Sequence, residues 1–273
     1  MAHDITVLTS IVGDRDNQLR DDQNTAGARF VAFVDRVLPS AVWELAPAYA
    51  RFKSDRRNSR APKIIPHQFV DSKYSIWIDA TMALRVPAAE VIADWLGDND
   101  IAVFAHEARQ CTYAEAEVCM SRRLDDPAVV EKQIGKYQRE KLGRELGLAR
   151  CSMIVRRHNR RVEMFNNSWW SEHCAFSVRD QLGFVYATRH ADVKVNLVRE
   201  DVYSNRYFDF HSRTAGAEPP ENNGHPAWPR GDATGAALES SHRHSLSLIR
   251  PSSTNAPEIV EVAAADSAQP RPV

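Results

Sequence analysis

The sequence predicts an α/β domain, a mixed sheet flanked by helices, followed by a tail without fixed structure. Three observations carry this. Residues 74–79, Tyr-Ser-Ile-Trp-Ile-Asp, alternate with period two and are rich in β-branched and aromatic side chains, the pattern of a strand buried on both faces. That strand ends abruptly on one carboxylate, Asp79. Residues 5–12 form a second β-branched, apolar run that stops at Gly13-Asp14, and strand-like and helical patterns alternate from residue 87 onward.

The first strand feeds a turn rich in side-chain acceptors, as nucleotide-binding α/β domains do; there Asp14 or Asp16 either accepts from a ribose or base or belongs to an ordinary surface turn. Residues 29–38 hold an apolar run that reads as a second strand at 30–34 or as a short buried helix. Aromatic residues recur over 43–52. The basic stretch 53–63 beyond them is either a solvated loop or a phosphate clamp, with Arg60 and Lys63 the pair suited to a diphosphate.

Beyond the central strand, Pro87 opens a helix over 87–96 whose Ala88, Val91, Ile92 and Trp95 share a face. Residues 101–105 form the next strand, ending at His106-Glu107. Residues 113–120 read as helical, and 127–146 as a longer amphipathic helix capped by Asp125 or Asp126. Residues 151–155 give a third inner strand that runs into Arg156-Arg-His158. His158 is there a metal ligand, a base, a phosphate donor or plain surface. Residues 166–182 read as one helix with Trp169, Glu172, Phe176 and Arg179 on one face and Trp170, Cys174 and Val178 beside them. The face carrying Glu172 and Arg179 is a pocket wall or a simple charged surface pair.

Composition narrows the functional classes. A chain of 273 residues can bury a full core, here assigned to one domain over 1–211 and a tail over 212–273. More than half of the 14 prolines lie beyond residue 218 amid Ser, Ala, Asn and Gly, a composition expected to stay disordered except for one transient element at 242–249. The formal charge of -1 and pI near 6.8 argue against a nucleic-acid partner. Four cysteines without a Cys-x-x-Cys pair indicate neither a zinc knuckle nor a redox motif. No apolar run approaches the roughly 18 residues of a membrane span, and the start, Met-Ala-His-Asp, has no leader pattern. The expected location is cytoplasmic, in solution or peripherally at a membrane.

Chemistry is expected first at Asp79. Ligands of open α/β sheets bind at the carboxyl ends of strands, where loops leave the packed layers. An acid with the hydroxyl of Thr81 two residues later suits a hard divalent cation bridging phosphates; the alternative is a carboxylate that merely caps the next turn.

Taken together, residues 60–67 (RAPKIIPH), 74–79 (YSIWID), 105–116 (AHEARQCTYAEA), 155–159 (VRRHN), Trp169-Trp170 and 177–182 (SVRDQL) resemble the glycosyltransferase-like domain family of plant turgor-regulation-defect and mucilage-related proteins and their bacterial homologues. The resemblance covers about the first three quarters of the chain. It implies a Rossmann-like sheet of GT-A type, a nucleotide-diphosphate sugar as donor, a saccharide or glycoconjugate as acceptor, and Mn²⁺ or Mg²⁺ on the diphosphate. Asp79 falls on the acidic metal-binding position, and Thr81 stands where a second acid is usual. On this reading Asp79, Thr81 and His158 are the metal candidates, and Asp14, Arg60, Lys63, Trp77 and Arg179 surround the donor. Asp180 is the preferred base or acceptor-binding carboxylate, with His106 or His158 next. Trp169 and Trp170, with Glu172, offer a face to the acceptor, the alternative for the two tryptophans being buried packing. Two rivals stand beside it: a metal-dependent hydrolase built on His106, His158 and Asp79, and a noncatalytic nucleotide-sugar-binding module. The transferase expectation requires Asp14, Arg60, Asp79 and Asp180 on one side of the sheet.

Overall fold

A computed structural model of the chain describes residues 4–14 and 18–210. Asp16 and the tail expected over 212–273, including 242–249, lie outside the described residues. Seven strands form the main sheet: β1 (Ile5–Ile11), β2 (Arg29–Val34), β3 (Glu44–Pro47), β4 (Tyr74–Ile78), β6 (Ile101–Ala105), β7 (Ala149–Arg157) and β8 (Val195–Val198). Their order is β3-β2-β1-β4-β7-β6-β8. β1 is parallel to both β2 and β4, and β6 to β8, while β7 runs antiparallel between β4 and β6. The 3-2-1-4 run is the parallel half expected of a Rossmann-like sheet. A second, two-stranded sheet pairs β5 (Met82–Leu84) with β9 (Phe208–Phe210).

Both faces of the main sheet are covered, which is why the central strands read as continuous apolar runs. On one face Val7, Ile76, Ile78, Phe104 and Val155 pack under α2 (Ala88–Val91), its π-type continuation (Ile92–Leu96) and the small sheet. On the other, Leu8, Trp77, Ile154 and Val103 pack under α1 (Asp55–Ile64), α5 (Arg160–Ala175) and α6 (Asp180–Ala191). α3 (Thr112–Ser121) and α4 (Pro127–Arg139) lie outside α6 and close the end of the molecule through Tyr113, Tyr137 and Tyr186.

Three segments depart from their sequence reading. The basic stretch at 53–63 is a helix, not a loop. Ser54 caps it by accepting from the Arg57 amide, and it continues through Pro62 for two residues, since proline removes only the one bond to the carbonyl a turn earlier. The helix expected over 127–146 stops at Arg139, where Lys141 enters the left-handed region (φ 57°) and the Leu142 amide closes onto the Tyr137 carbonyl. The single helix expected over 166–182 is two. Phe176 leaves helical geometry because Asp125 accepts from the Ser177 hydroxyl at 2.6 Å and from the Val178 amide at 2.8 Å, pulling the chain toward the start of α4. Arg57 binds the last carbonyls of α5, those of His173, Cys174 and Phe176. Residues 29–38, open in the sequence between strand and helix, contain strand β2.

Candidate active site

β1, β4 and β6 all point the same way, so Gly13-Asp14, Asp79 and His106 emerge at one edge of the sheet. Asp79 begins a tight turn in which the Met82 amide donates to its carbonyl at 2.8 Å. Its own amide donates to Ser152 on β7. Its side chain accepts from the indole N–H of Trp77 at 2.9 Å, through Oδ1. Trp77 itself is fully buried, so its part at the site is this hydrogen bond rather than contact with a donor.

The remaining charges come from two helices. Arg60 and Lys63, three residues apart on α1, share a helical face. Lys63 Nζ lies 2.5 Å from Asp180 Oδ2 and 3.7 Å from Asp79 Oδ1, and Arg60 Nε lies 3.2 Å from the same Asp180 oxygen. Asp180 is the first residue of α6, where the helix dipole favours an anion. The four side chains alternate in sign from Asp79 through Lys63 and Asp180 to Arg60. Burial alone would raise the Asp180 carboxyl, but Lys63 and Arg60 override it and hold the group far below the usual carboxylate range.

This geometry changes the roles expected of individual residues. Asp180 opens α6 rather than ending the tryptophan helix, and a carboxylate held by two cations is a poor proton acceptor. Lys63 is 2% exposed and cannot grip a diphosphate directly; Arg60, with a fifth of its side chain open, is the member of the pair accessible from outside. Trp169 is buried against Phe165 and Phe184 and donates to the Asp180 carbonyl at 2.8 Å, so it offers no face to a sugar. Glu172 is buried too, binding Lys136 and the Tyr137 hydroxyl, both at 2.8 Å, and thereby joins α5 to α4 instead of facing an acceptor. Trp170 is half-buried, edge-on to Tyr49 and Phe52. Arg179 is engaged by Gln181 at 3.1 Å and the buried Glu115 at 3.6 Å. Asp14 is exposed just past β1 on the same edge.

His158 sits at the wrong end of the sheet for a shared metal. Because β7 is antiparallel to β4, its carboxyl end meets the start of β4, and His158 Nε2 contacts Ser75 Oγ at 2.8 Å. Ser75 and Asp79 are four residues apart along an extended strand, about 13 Å. Burial, aided by Arg156, pushes His158 down to about 4. His106 does share the edge with Asp79, two strands over. Its Nδ1 accepts from the Ala108 and Arg109 amides at 3.2 and 3.3 Å, and burial first of all keeps its pKa below the usual histidine value. Among the described residues no three His, Cys, Asp or Glu side chains cluster to hold a metal ion. Thr81 occupies the third position of the Asp79 turn, its carbonyl taken by Arg20 at 3.3 Å.

Two further participants escape a reading of the sequence. Arg57, Arg60 and Lys63 recur every third residue, a signal that becomes visible only when the segment is read as a helix. His173 is 2% exposed with both ring nitrogens unpartnered, stacked on Trp170 beside the Asp180 cluster; burial pushes it down to about 3.

The chain has recognisable relatives among known proteins. The chain is 27% identical over 155 residues to the probable hexosyltransferase MUCI70 of Arabidopsis thaliana, a match covering 52% of this chain and 27% of that protein. It is 28% identical over 160 residues to alkaline ceramidase TOD1 of the same plant, covering 54% and 35%. The matched segments thus span about a quarter to a third of these relatives. Among solved structures, a glycosyltransferase involved in glycosylation of the major capsid of PBCV-1 aligns over 77% of this chain and 94% of its own at 10% identity, with a TM-score of 0.42. The model of the TOD1/MUCI70 glycosyltransferase-like domain matches residues 33–210, from within β2 to the end of β9 and well over half of the 273 residues, and the chain therefore belongs to that family.

Proposed function

We propose that this domain transfers a sugar, a hexose or a related residue, from a nucleotide-diphosphate sugar to a saccharide or glycoconjugate acceptor. The observation that carries the proposal is the convergence of Asp79, Lys63, Asp180 and Arg60 at the carboxyl edge of the parallel strands. In such a reaction the acceptor hydroxyl oxygen bonds to the anomeric carbon, the bond from that carbon to the diphosphate oxygen breaks, the nucleoside diphosphate leaves with the electron pair, and the hydroxyl proton passes to the departing diphosphate or to solvent. Negative charge grows on the leaving oxygens, so fixed cations aimed there stabilise the transition state. Of these four side chains, Arg60 is the more accessible cation and Asp79 the more accessible carboxylate.

One accessible carboxylate suits Mn²⁺ or Mg²⁺ only when substrate phosphates complete the shell, a common way for Mg²⁺ to bind. Asp79 is the residue that would hold it, and the ion would neutralise the leaving diphosphate. Asp14 is proposed to meet the nucleoside end of the donor, and Trp170 the acceptor side. The hydrolase reading, which one relative's name invites, needs His106, His158 and Asp79 on one ion, and His158 lies at the opposite edge. No helix among the described residues is long and apolar enough to cross a membrane, and all four cysteines are free thiols, which supports the cytoplasm as the proposed compartment.

The test is a thermal-shift screen of nucleotide sugars and nucleoside diphosphates with and without Mn²⁺, together with product analysis. A ligand at 100 times its Kd should stabilise the fold by about 2.7 kcal/mol. Asp79→Asn should abolish the shift while the unliganded melting point stays close to wild type. A full shift in Asp79→Asn would remove Asp79 from the site, and binding without turnover would point to a noncatalytic module.

A further inference from the structure

The four charges at this edge divide into two that a ligand can reach and two that it cannot. Asp79 has 26% of its side chain exposed and Arg60 21%, against 2% for Lys63 and 10% for Asp180. A buried ion pair is weak evidence for stability, because desolvating both charges cancels much of their attraction. What this pair does is geometric. Lys63 is anchored by Asp180 at 2.5 Å, lies over the Trp77 ring at 5.8 Å, and presents its ammonium to Asp79 Oδ1 at 3.7 Å. The Trp77 indole donates to that same oxygen at 2.9 Å. Both contacts fall on Oδ1, so Oδ2 is the oxygen left for a ligand.

We propose that Lys63 and Asp180 are a buried positioning pair, fixing the orientation of Asp79 for the metal-diphosphate group while touching no substrate themselves. This rests on the glycosyltransferase reading for the identity of the ligand, but not for the placement of Asp79. Asp180 is fixed in its turn by the start of α6, where Trp169 binds its carbonyl, so the helix layer and the strand end are joined through Lys63. Arg60 completes the arrangement by sharing Asp180 with Lys63.

The test uses the full chain and the variants Lys63→Met, Asp180→Asn and the double variant. The double variant replaces both buried charges by neutral groups of similar size and leaves only the part-exposed Arg60 without its carboxylate, so it keeps the test decidable where a single variant strands a buried partner and fails to fold. The first readout is the indole N–H resonance of Trp77, assigned with Trp77→Phe and compared in Asp180→Asn, which keeps the Lys63 charge near the ring, so that a shift reports on the Asp79 hydrogen bond. The second is affinity for UDP, GDP and ADP in the presence of Mn²⁺. The expected result is a displaced Trp77 resonance and an affinity about 10–100-fold weaker, the usual effect of removing a partner that orients a metal ligand. A Trp77 resonance at its wild-type position overturns the inference. So does a displaced resonance with wild-type affinity, for the pair would then serve the fold alone. Failure of the wild-type chain to bind any nucleoside diphosphate strikes the transferase reading instead, and the indole readout still decides whether the pair places Asp79.

Discussion

Burial raises a carboxyl's pKa and adjacent cations lower it; at Asp180 the cations win, whereas at the buried histidines nothing opposes desolvation enough to keep the ring charged. His173 is pushed to about 3 and His158 to about 4, both from an ordinary 6.5. Folded pKa values below unfolded ones mean that between about pH 6.5 and 4 the unfolded chain takes up protons that the folded chain refuses. Stability contributed by these rings is therefore complete above pH 6.5 and is lost as pH falls. Depressed carboxylates such as Asp22, held at about 2 mainly by Arg20, add their loss only below about pH 4. The melting point should fall steadily from pH 7 to 4.5, and the combined His158→Gln and His173→Asn substitutions should flatten that slope whatever they do to its height. A variant slope equal to wild type would mean that neither ring stays neutral in the folded protein.

At the scale of elements, Arg57 is where sequence and structure diverge most usefully. It belongs to α1 by sequence and to α5 by function, since its guanidinium closes the carbonyls that α5 leaves open. Hydrogen bonds to a charged group contribute about 1.5–3 kcal/mol each. The three bonds share one guanidinium and are not additive, so Arg57→Met should lower stability by about 2–4 kcal/mol. Chemical denaturation would measure this, and amide exchange should rise first over residues 174–179. The strands and their burial were legible in the sequence because β-branched runs such as 74–78 permit little else. The direction of β7 was not, since a strand reads the same either way; this one ambiguity put His158 beside Asp79 on paper and at the opposite edge in space. The helical face carrying Arg57, Arg60 and Lys63 was hidden by its charge and by Pro62, both of which favour a loop reading. Asp79, Arg60 and Asp180 stand out in the sequence as residues, while the burial of Lys63, Trp169 and Glu172 depends on tertiary packing that no local pattern encodes.

For the molecule as a whole, the last described strand decides how the small sheet closes. β9 pairs with β5, immediately beyond the Asp79 turn, and buries Phe208 against Trp95 and Phe104. Asp209 binds Arg20 and Arg85, which also share Asp22, so segments far apart in sequence meet in one ion network. Full burial of a phenylalanine contributes about 1.5–3 kcal/mol. With the ladder bonds of β5 added, β9 accounts for a sizeable share of the roughly 5–15 kcal/mol typical of a domain. We propose that residues 1–211 are the folding unit, and two truncations test it. A chain ending at residue 211 should melt within a few degrees of the full-length protein and keep any ligand-induced shift. A chain ending at residue 202 loses β9 and should melt far lower or fail to fold, because Met82, Leu84 and Trp95 lose their cover while Arg20 and Arg85 lose Asp209. Equal melting of the 202-residue chain would show that β9 adds nothing to the domain. A large loss already at 211 would move the boundary of the folding unit into the segment beyond it.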